Sequence, residues 1–361
     1  MKFQRIGEEL DDIIIDNDTK KALNLQLSKT MSQARTNAKR ETCFYCGKKV
    51  SSFCNSHSIP RFVLDNIDTD GEVLSTNAIL HLPPAALKET TGLKKTGTFQ
   101  ILCNDCDSRI FQDYENPEAY PQSTMPDAKV IAQIALKNYL RVIAKRFFEV
   151  ELEKLNIGNH PSAFFKHSIG VKKLDLTKYG NLYRKAKSAS EKGYKSYYVC
   201  YYKMLDYVVP LAFQGMVVLP VGLHGEKIND IFNYNPKYDL SDLHICIFPL
   251  KTQTAIIMFV EDGDHRYRRF YKEFNTLPLE EQLGIINYII LLLSEDIAFS
   301  KSVYDIVQSE NLKKCSAKSL IACSDYPYED ASTVSSSLSQ DFNLADWGSI
   351  ENLLSKKYAL R

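Results

Sequence analysis

Cys43-Phe-Tyr-Cys46, Ser56-His57-Ser58-Ile59-Pro60 and Cys103-Asn-Asp-Cys106-Asp107 are the stretches whose joint reading decides the N-terminal half of this chain. Each Cys-x-x-Cys pair offers two thiolates from one tight turn, which is how protein chains supply adjacent corners of a tetrahedral zinc site. Cys43, Cys46, Cys103 and Cys106 together give the four corners of one structural Zn2+, closing a long loop that carries His57. Two unrelated pairs of buried or redox thiols remain the alternative at this stage.

Working outward, the chain has 361 residues, long enough for two or three domains. Its 45 basic and 44 acidic residues leave a formal charge of +1, so any partner attracted by charge must be met by a local patch. The nine cysteines are odd in number and, apart from the two pairs, scattered as Cys54, Cys200, Cys246, Cys315 and Cys323. That pattern is no disulfide framework; a reducing, cytoplasmic setting fits it. The start Met-Lys-Phe-Gln-Arg lacks the apolar core of a secretory signal, and no apolar run is long enough to span a bilayer.

The expected fold class is α+β: a zinc module, then a helical segment, then a mixed C-terminal domain. Residues 1–40 read as a helical arm and 41–120 as the zinc module, with Asp70-Gly71 as a hairpin turn. A helix is expected from about Asp127 to Leu155 on the apolar spacing of Ile131, Ile134, Leu136, Leu140, Ile143 and Phe147, with Val130 and Tyr139 widening the stripe. Residues 121–195 would be that helix plus a basic linker, since Lys166, Lys172, Lys173, Lys178, Arg184, Lys185, Lys187, Lys192 and Lys195 face only Asp175 and Glu191 over 166–195. Strands are expected at Tyr197–Tyr202, Met216–Leu219, Leu243–Phe248 and Ala255–Val260, the last two paired through Lys251–Gln253, within an α+β unit at 196–315. A buried helix should begin near Pro278. Residues 316–361 read as a Ser-rich tail with a short helix at Leu344–Leu354.

The cysteine pairs, the His-x-Ile-Pro setting of His57 and the polar residue after the second pair resemble the HNH endonucleases of the ββα-metal, treble-clef class, over about residues 41–116 only. The resemblance implies a nuclease in which His57 is the general base, Asp107 holds a catalytic Mg2+ or Mn2+, and Asn77, with Asn104 the weaker choice, orients the histidine. Its chemistry is sound on general grounds. Phosphodiester hydrolysis needs an activated water and a cation to meet charge on the phosphate oxygens, and a carboxylate suits Mg2+. Two departures stand out: Ser56 precedes His57 where relatives carry a metal ligand, and Phe111 occupies the position one turn after Asp107.

Nucleic acid, DNA in first place, is the implied partner, so positive surface should lie near the site. Arg61 and the Lys137, Arg141, Lys145 ridge are the expected phosphate contacts, against the alternative of a solvated helix face; the 166–195 run with Tyr179, Tyr183 and Tyr194 is a second surface. HNH modules fused to unfamiliar domains resemble bacterial restriction or antiphage effectors, with the C-terminal half sensing a protein partner or small-molecule trigger. The competing expectation is a zinc-stabilised module that binds nucleic acid or protein without catalysis, Ser56 marking a lost metal site.

Overall fold

The computed structural model describes residues 17–75, 90–120, 124–159, 163–231, 233, 235, 237–294, 296–324 and 342–361. In chain order these form α1 (Asn17–Asn37), β1 (Ser56–His57), α2 (Arg61–Leu64), β2 (Glu72–Ser75), β3 (Thr90–Gly92), β4 (Thr98–Phe99), α3 (Asn104–Ile110), α4 (Ala128–Asn159) and α5 (Ala163–Lys192). Then follow β5 (Tyr197–Leu205), β6 (Leu211–Val217), β7 (Leu243–Pro249), β8 (Thr254–Glu261), α6 (Arg268–Phe274), α7 (Leu279–Leu293), β9 (Ile297–Phe299), α8 (Tyr304–Val307) and α9 (Glu310–Ser324). The class is mixed α+β.

The centre is an antiparallel sheet in the order β3-β2-β9-β6-β7-β8-β5. Strand side chains alternate between faces, and in β7 and β8 both sets are apolar, so the sheet is buried on both sides. Leu243, Ile245, Ile247, Ile256, Met258 and Val260 enter one core with α6, α7, α9 and the C-terminal segment. Cys246, Phe248, Ala255, Ile257 and Phe259 enter the other with α4, α5 and the zinc module. Leu250 N donates to Gln253 O at 2.8 Å in the turn between β7 and β8, as their sequence leads one to expect.

Helix α4 is capped by Asp127, whose Oδ1 accepts from Val130 N at 2.9 Å. Helix α7 follows Pro278, sets Glu280 and Glu281 in its first turn where the dipole favours negative charge, and is buried from Gln282 to Leu292. It can be covered so closely because Gly284 lacks a side chain: a Cβ there would stand 2.2 Å from the Trp347 ring. Gly284→Ala should therefore displace Trp347 and lower stability by about 1–3 kcal/mol, read as a lower urea midpoint with weaker protection of the Trp347 fluorescence.

Four features differ from the sequence expectation. Residues 163–192 form helix α5 packed against α4, because Tyr179, Tyr183, Ala186 and Ala189 recur at helical spacing and are buried, beneath lysines that dominate the composition. Strand β6 begins at Leu211, earlier than expected, and the Leu344–Leu354 segment holds only a 3-10 turn at Leu344–Ser349. The sheet also crosses the 120/196 boundary, since β2 and β3 of the zinc module extend the strands of the C-terminal half through β9.

A buried histidine on β7 gives the fold a pH dependence. His244 stacks on Phe259 at 4.5 Å and 8°. The Asn138 amide lies 3.0 Å from its Nδ1 and the Tyr139 hydroxyl 3.2 Å from its Nε2, so the neutral Nε2–H form satisfies both contacts. Burial, with the Lys178 charge adding to it, depresses its pKa to about 3. The unfolded chain takes up this proton below its ordinary value near 6.5 while the folded chain resists until about 3, so stability is full above that ordinary value and falls as pH drops towards 3. Between pH 7 and pH 5 this histidine alone should cost about 2 kcal/mol. Urea midpoints at the two pH values check it: the loss should shrink in His244→Gln, and an equal loss in both proteins would remove His244 as its source.

Candidate functional site

The sulfurs of Cys43, Cys46, Cys103 and Cys106 all lie within 4.8 Å of one another. A tetrahedral zinc with bonds of about 2.3 Å sets sulfurs about 3.8 Å apart, inside that limit. The local backbone explains the closure. Gly47, at φ +71°, turns the first knuckle so that its N–H reaches Cys43 O at 2.9 Å, and Cys103 N donates to Cys43 Sγ at 3.3 Å. Helix α3 then begins at Asn104 and places Cys106 in its first turn.

Burial pushes the Cys103 and Cys106 thiols up, while backbone N–H groups of Cys46, Cys103 and Tyr45 overcome burial at Cys43 and bring it down to about 7. Four crowded sulfurs with one already near neutral titration are a donor set compatible with structural zinc. Cys54 is not part of this set: its thiol donates to Asp107 Oδ2 at 3.3 Å, and burial and the Asp107 charge raise it to about 11.

Inside the loop that zinc would close, β1 pairs with β4 through Ser56–Phe99 and His57–Thr98. His57 is half-buried, with Nε2 2.9 Å from Leu93 O. A carbonyl only accepts, so Nε2 carries the proton and the neutral ring keeps its lone pair on Nδ1. Ser56, the neighbour in the strand, points to the opposite face and is fully buried.

Ser56 Oγ donates to Asp107 Oδ1 at 2.7 Å, and Lys137 Nζ from α4 reaches the same oxygen at 2.9 Å. Lys137 has no exposed surface; its ammonium also lies 3.3 Å from Glu115 Oε1 and 3.8 Å from the centre of the Phe111 ring. Burial opposes the Asp107 charge, but Lys137, Ser56 and Cys54 more than offset it and hold the carboxyl below its usual range. Both oxygens of Asp107 thus have protein donors. A Mg2+ at the 2.0–2.1 Å it requires would share Oδ1 with an ammonium in a water-poor space, and like charges there repel strongly. Mg2+ or Mn2+ does not fit at Asp107 in this arrangement.

The other expected site residues are dispersed. Lys137 sits inside the fold and not on a nucleic-acid face, a correction that follows from its zero exposure. Arg141 pairs with Asp296 at 2.8 Å and Lys145 lies 4.0 Å from Glu149, so the ridge faces carboxylates of this chain. Arg61 is exposed and bonded to Asp65 at 2.6 Å. Asn77 lies outside the described residues. Asn104 opens α3. On α5, Tyr179 and Tyr183 are buried in the core and offer no face for bases, whereas Tyr194, just beyond the helix, is exposed.

A feature missed in the sequence lies beside the β1–β4 strand pair: a groove of about 930 Å³ between the β3 edge, β9 and the helices α1 and α4. It is lined by five cations, Arg35, Arg61, Lys94, Lys95 and Arg141, against Glu72 and Asp296. Asp296 is matched by Arg141, and Glu72 by Lys301 at 2.7 Å, so the surplus is positive. Among the described residues no carboxylate pairs with Arg35, Lys94 or Lys95, all exposed. The signal was present as Lys94-Lys95 set between Gly92 and Gly97, the latter at φ +58° where a Cβ would strike Ser58 Oγ. Leu93, the partner of His57, and Thr98, opposite it on β4, both line this groove.

These observations define a mixed α+β protein with a four-cysteine cluster suited to structural zinc. No family model, curated protein or solved structure matches the chain. No helix among the described residues is long and apolar enough to cross a membrane.

Proposed function

We propose that this protein is a zinc-stapled nucleic-acid-binding protein, HNH-like in residues 41–116, that grips a phosphate backbone in the groove beside β1 and β4. The observation that carries the reading is the cationic surplus of that groove, where Arg35, Lys94 and Lys95 stand without carboxylate partners among the described residues. Phosphate neutralisation supplies most sequence-independent affinity for nucleic acid, and it needs unpaired cations. DNA is the first partner to test. Lys94→Glu with Lys95→Glu should weaken binding of a labelled DNA duplex at least tenfold and reduce the salt slope by about 2, one for each phosphate that is no longer neutralised. Fluorescence anisotropy reads both; unchanged affinity in the double variant would end the groove's part in binding.

A second reading, an HNH-type endonuclease, is favoured by His57, whose Nε2–H bond to Leu93 O leaves Nδ1 as an acceptor, with Leu93 and the facing Thr98 lining the groove. A general base needs such an acceptor within reach of the attacking water. This reading needs a cation held elsewhere than at Asp107. Its test is nicking of supercoiled plasmid with Mg2+ or Mn2+, lost in His57→Ala at unchanged zinc content; no nicking of any substrate leaves binding without catalysis. A role in restriction or antiphage defence belongs to this second reading alone, and failure of the wild-type gene to reduce phage plating would count against it.

A further inference from the structure

We infer that Lys137 supplies, as a fixed ammonium, the cation that an HNH-like module would otherwise take from solution as a divalent metal, and that the Asp107 pocket therefore works closed and metal-free. The reason is geometric. The resemblance places a metal between β1 and α3, on the Ser56 side of the strand, and that is where Ser56 Oγ, Asp107 and Cys54 Sγ converge. Lys137 Nζ stands at this convergence, 2.9 Å from Asp107 Oδ1 and 3.3 Å from Glu115 Oε1.

Its stem comes from the middle of α4 and its charge lies 3.8 Å over the Phe111 ring and 6.0 Å from that of Phe99. Aromatic faces attract cations, so two carboxylates and two rings form a cage for one positive charge. The pairings account for both departures of the sequence. Ser56 is a poor metal ligand but a good hydroxyl donor to a carboxylate, and Phe111 cannot ligate but can face an ammonium. Both suit lysine better than Mg2+.

The consequence is a division of labour within the module. Zinc joins the two knuckles, whereas Lys137 joins β1 and α3 to α4 and so to the main sheet. Being wholly covered, the ammonium cannot touch a phosphate; ligand contact is left to the exposed cations of the groove.

Mn2+ uptake by the zinc-loaded, full-length protein, followed by loss of the free-ion EPR signal, tests this without any nucleic acid, so it can fail while groove binding stands. The wild type should take up no Mn2+ that depends on Asp107 even at millimolar concentration. Lys137→Ser, which removes the ammonium and leaves a hydroxyl, should take up one Mn2+ per chain, and adding Asp107→Asn should abolish that uptake. A wild-type protein that binds one Mn2+, lost in Asp107→Asn, overturns the inference, as does a folded Lys137→Ser protein that binds none. Should Lys137→Ser fail to fold, the comparison of wild type with Asp107→Asn still decides.

Discussion

Replacing Cys103 with serine is expected to release the zinc and unfold much of residues 41–116, leaving the C-terminal sheet partly intact. The elements involved are too small to stand alone: β1 and β4 have two residues each, β3 three and α3 seven. Short strands and a two-turn helix cannot meet the entropy of ordering the chain between the knuckles, whereas a structural zinc contributes about 10–16 kcal/mol to domains that fold around it. Loss of one thiolate removes a large part of that. Because β2 pairs with β9, the disturbance should reach the sheet edge but spare β6, β7, β8 and β5, whose cores lie under α4 and α7. Metal analysis should show one zinc per chain in the wild type and less in the variant, and calorimetry should resolve an early transition only in the variant. Full zinc content with an unchanged melting profile would refute the cluster as a staple.

Lys137→Met should destabilise the protein by about 3–5 kcal/mol, the usual cost of removing one partner from a buried ion pair. Methionine keeps most of the stem volume, so the loss comes from charge. Asp107 would lose its main counter-charge while burial and the neighbouring Glu115 still oppose its ionised form, so it must either stay charged at a cost or take up a proton. The companion Lys137→Met, Asp107→Leu removes both charges, and most of the loss should return, since a buried pair replaced by apolar groups is often near neutral. Urea unfolding of the three proteins measures this. A single variant within about 1 kcal/mol of wild type would show that the pair is solvated in practice.

How far these features could be read from the sequence follows from the kind of signal each one leaves. The Cys-x-x-Cys pairs have fixed spacing and one chemical use, and β7 and β8 are runs of apolar, largely β-branched and aromatic residues over a full strand length, so both were legible. Lys137 was not: in sequence a lysine four residues before Arg141 looks like part of a solvent ridge, and only the three-dimensional approach of Asp107 and Phe111 reverses that. Helix α5 was hidden by the same bias, because its buried face is made of tyrosine and alanine among lysines. Strands β2 and β3, four and three residues long, carry too little periodicity to announce that they extend a sheet from the other half of the chain. The groove needed that sheet edge, with Lys94 and Lys95 brought near Arg35 of a helix far away in sequence.

The most direct test of the account is the affinity of the wild-type protein for a labelled DNA duplex across salt concentration in buffer without added divalent cation. Groove binding through Arg35, Lys94 and Lys95 predicts measurable affinity under those conditions, falling with log salt at a slope of about −3. No binding to the duplex, or binding that appears only with Mg2+ and vanishes in Asp107→Asn, would contradict it.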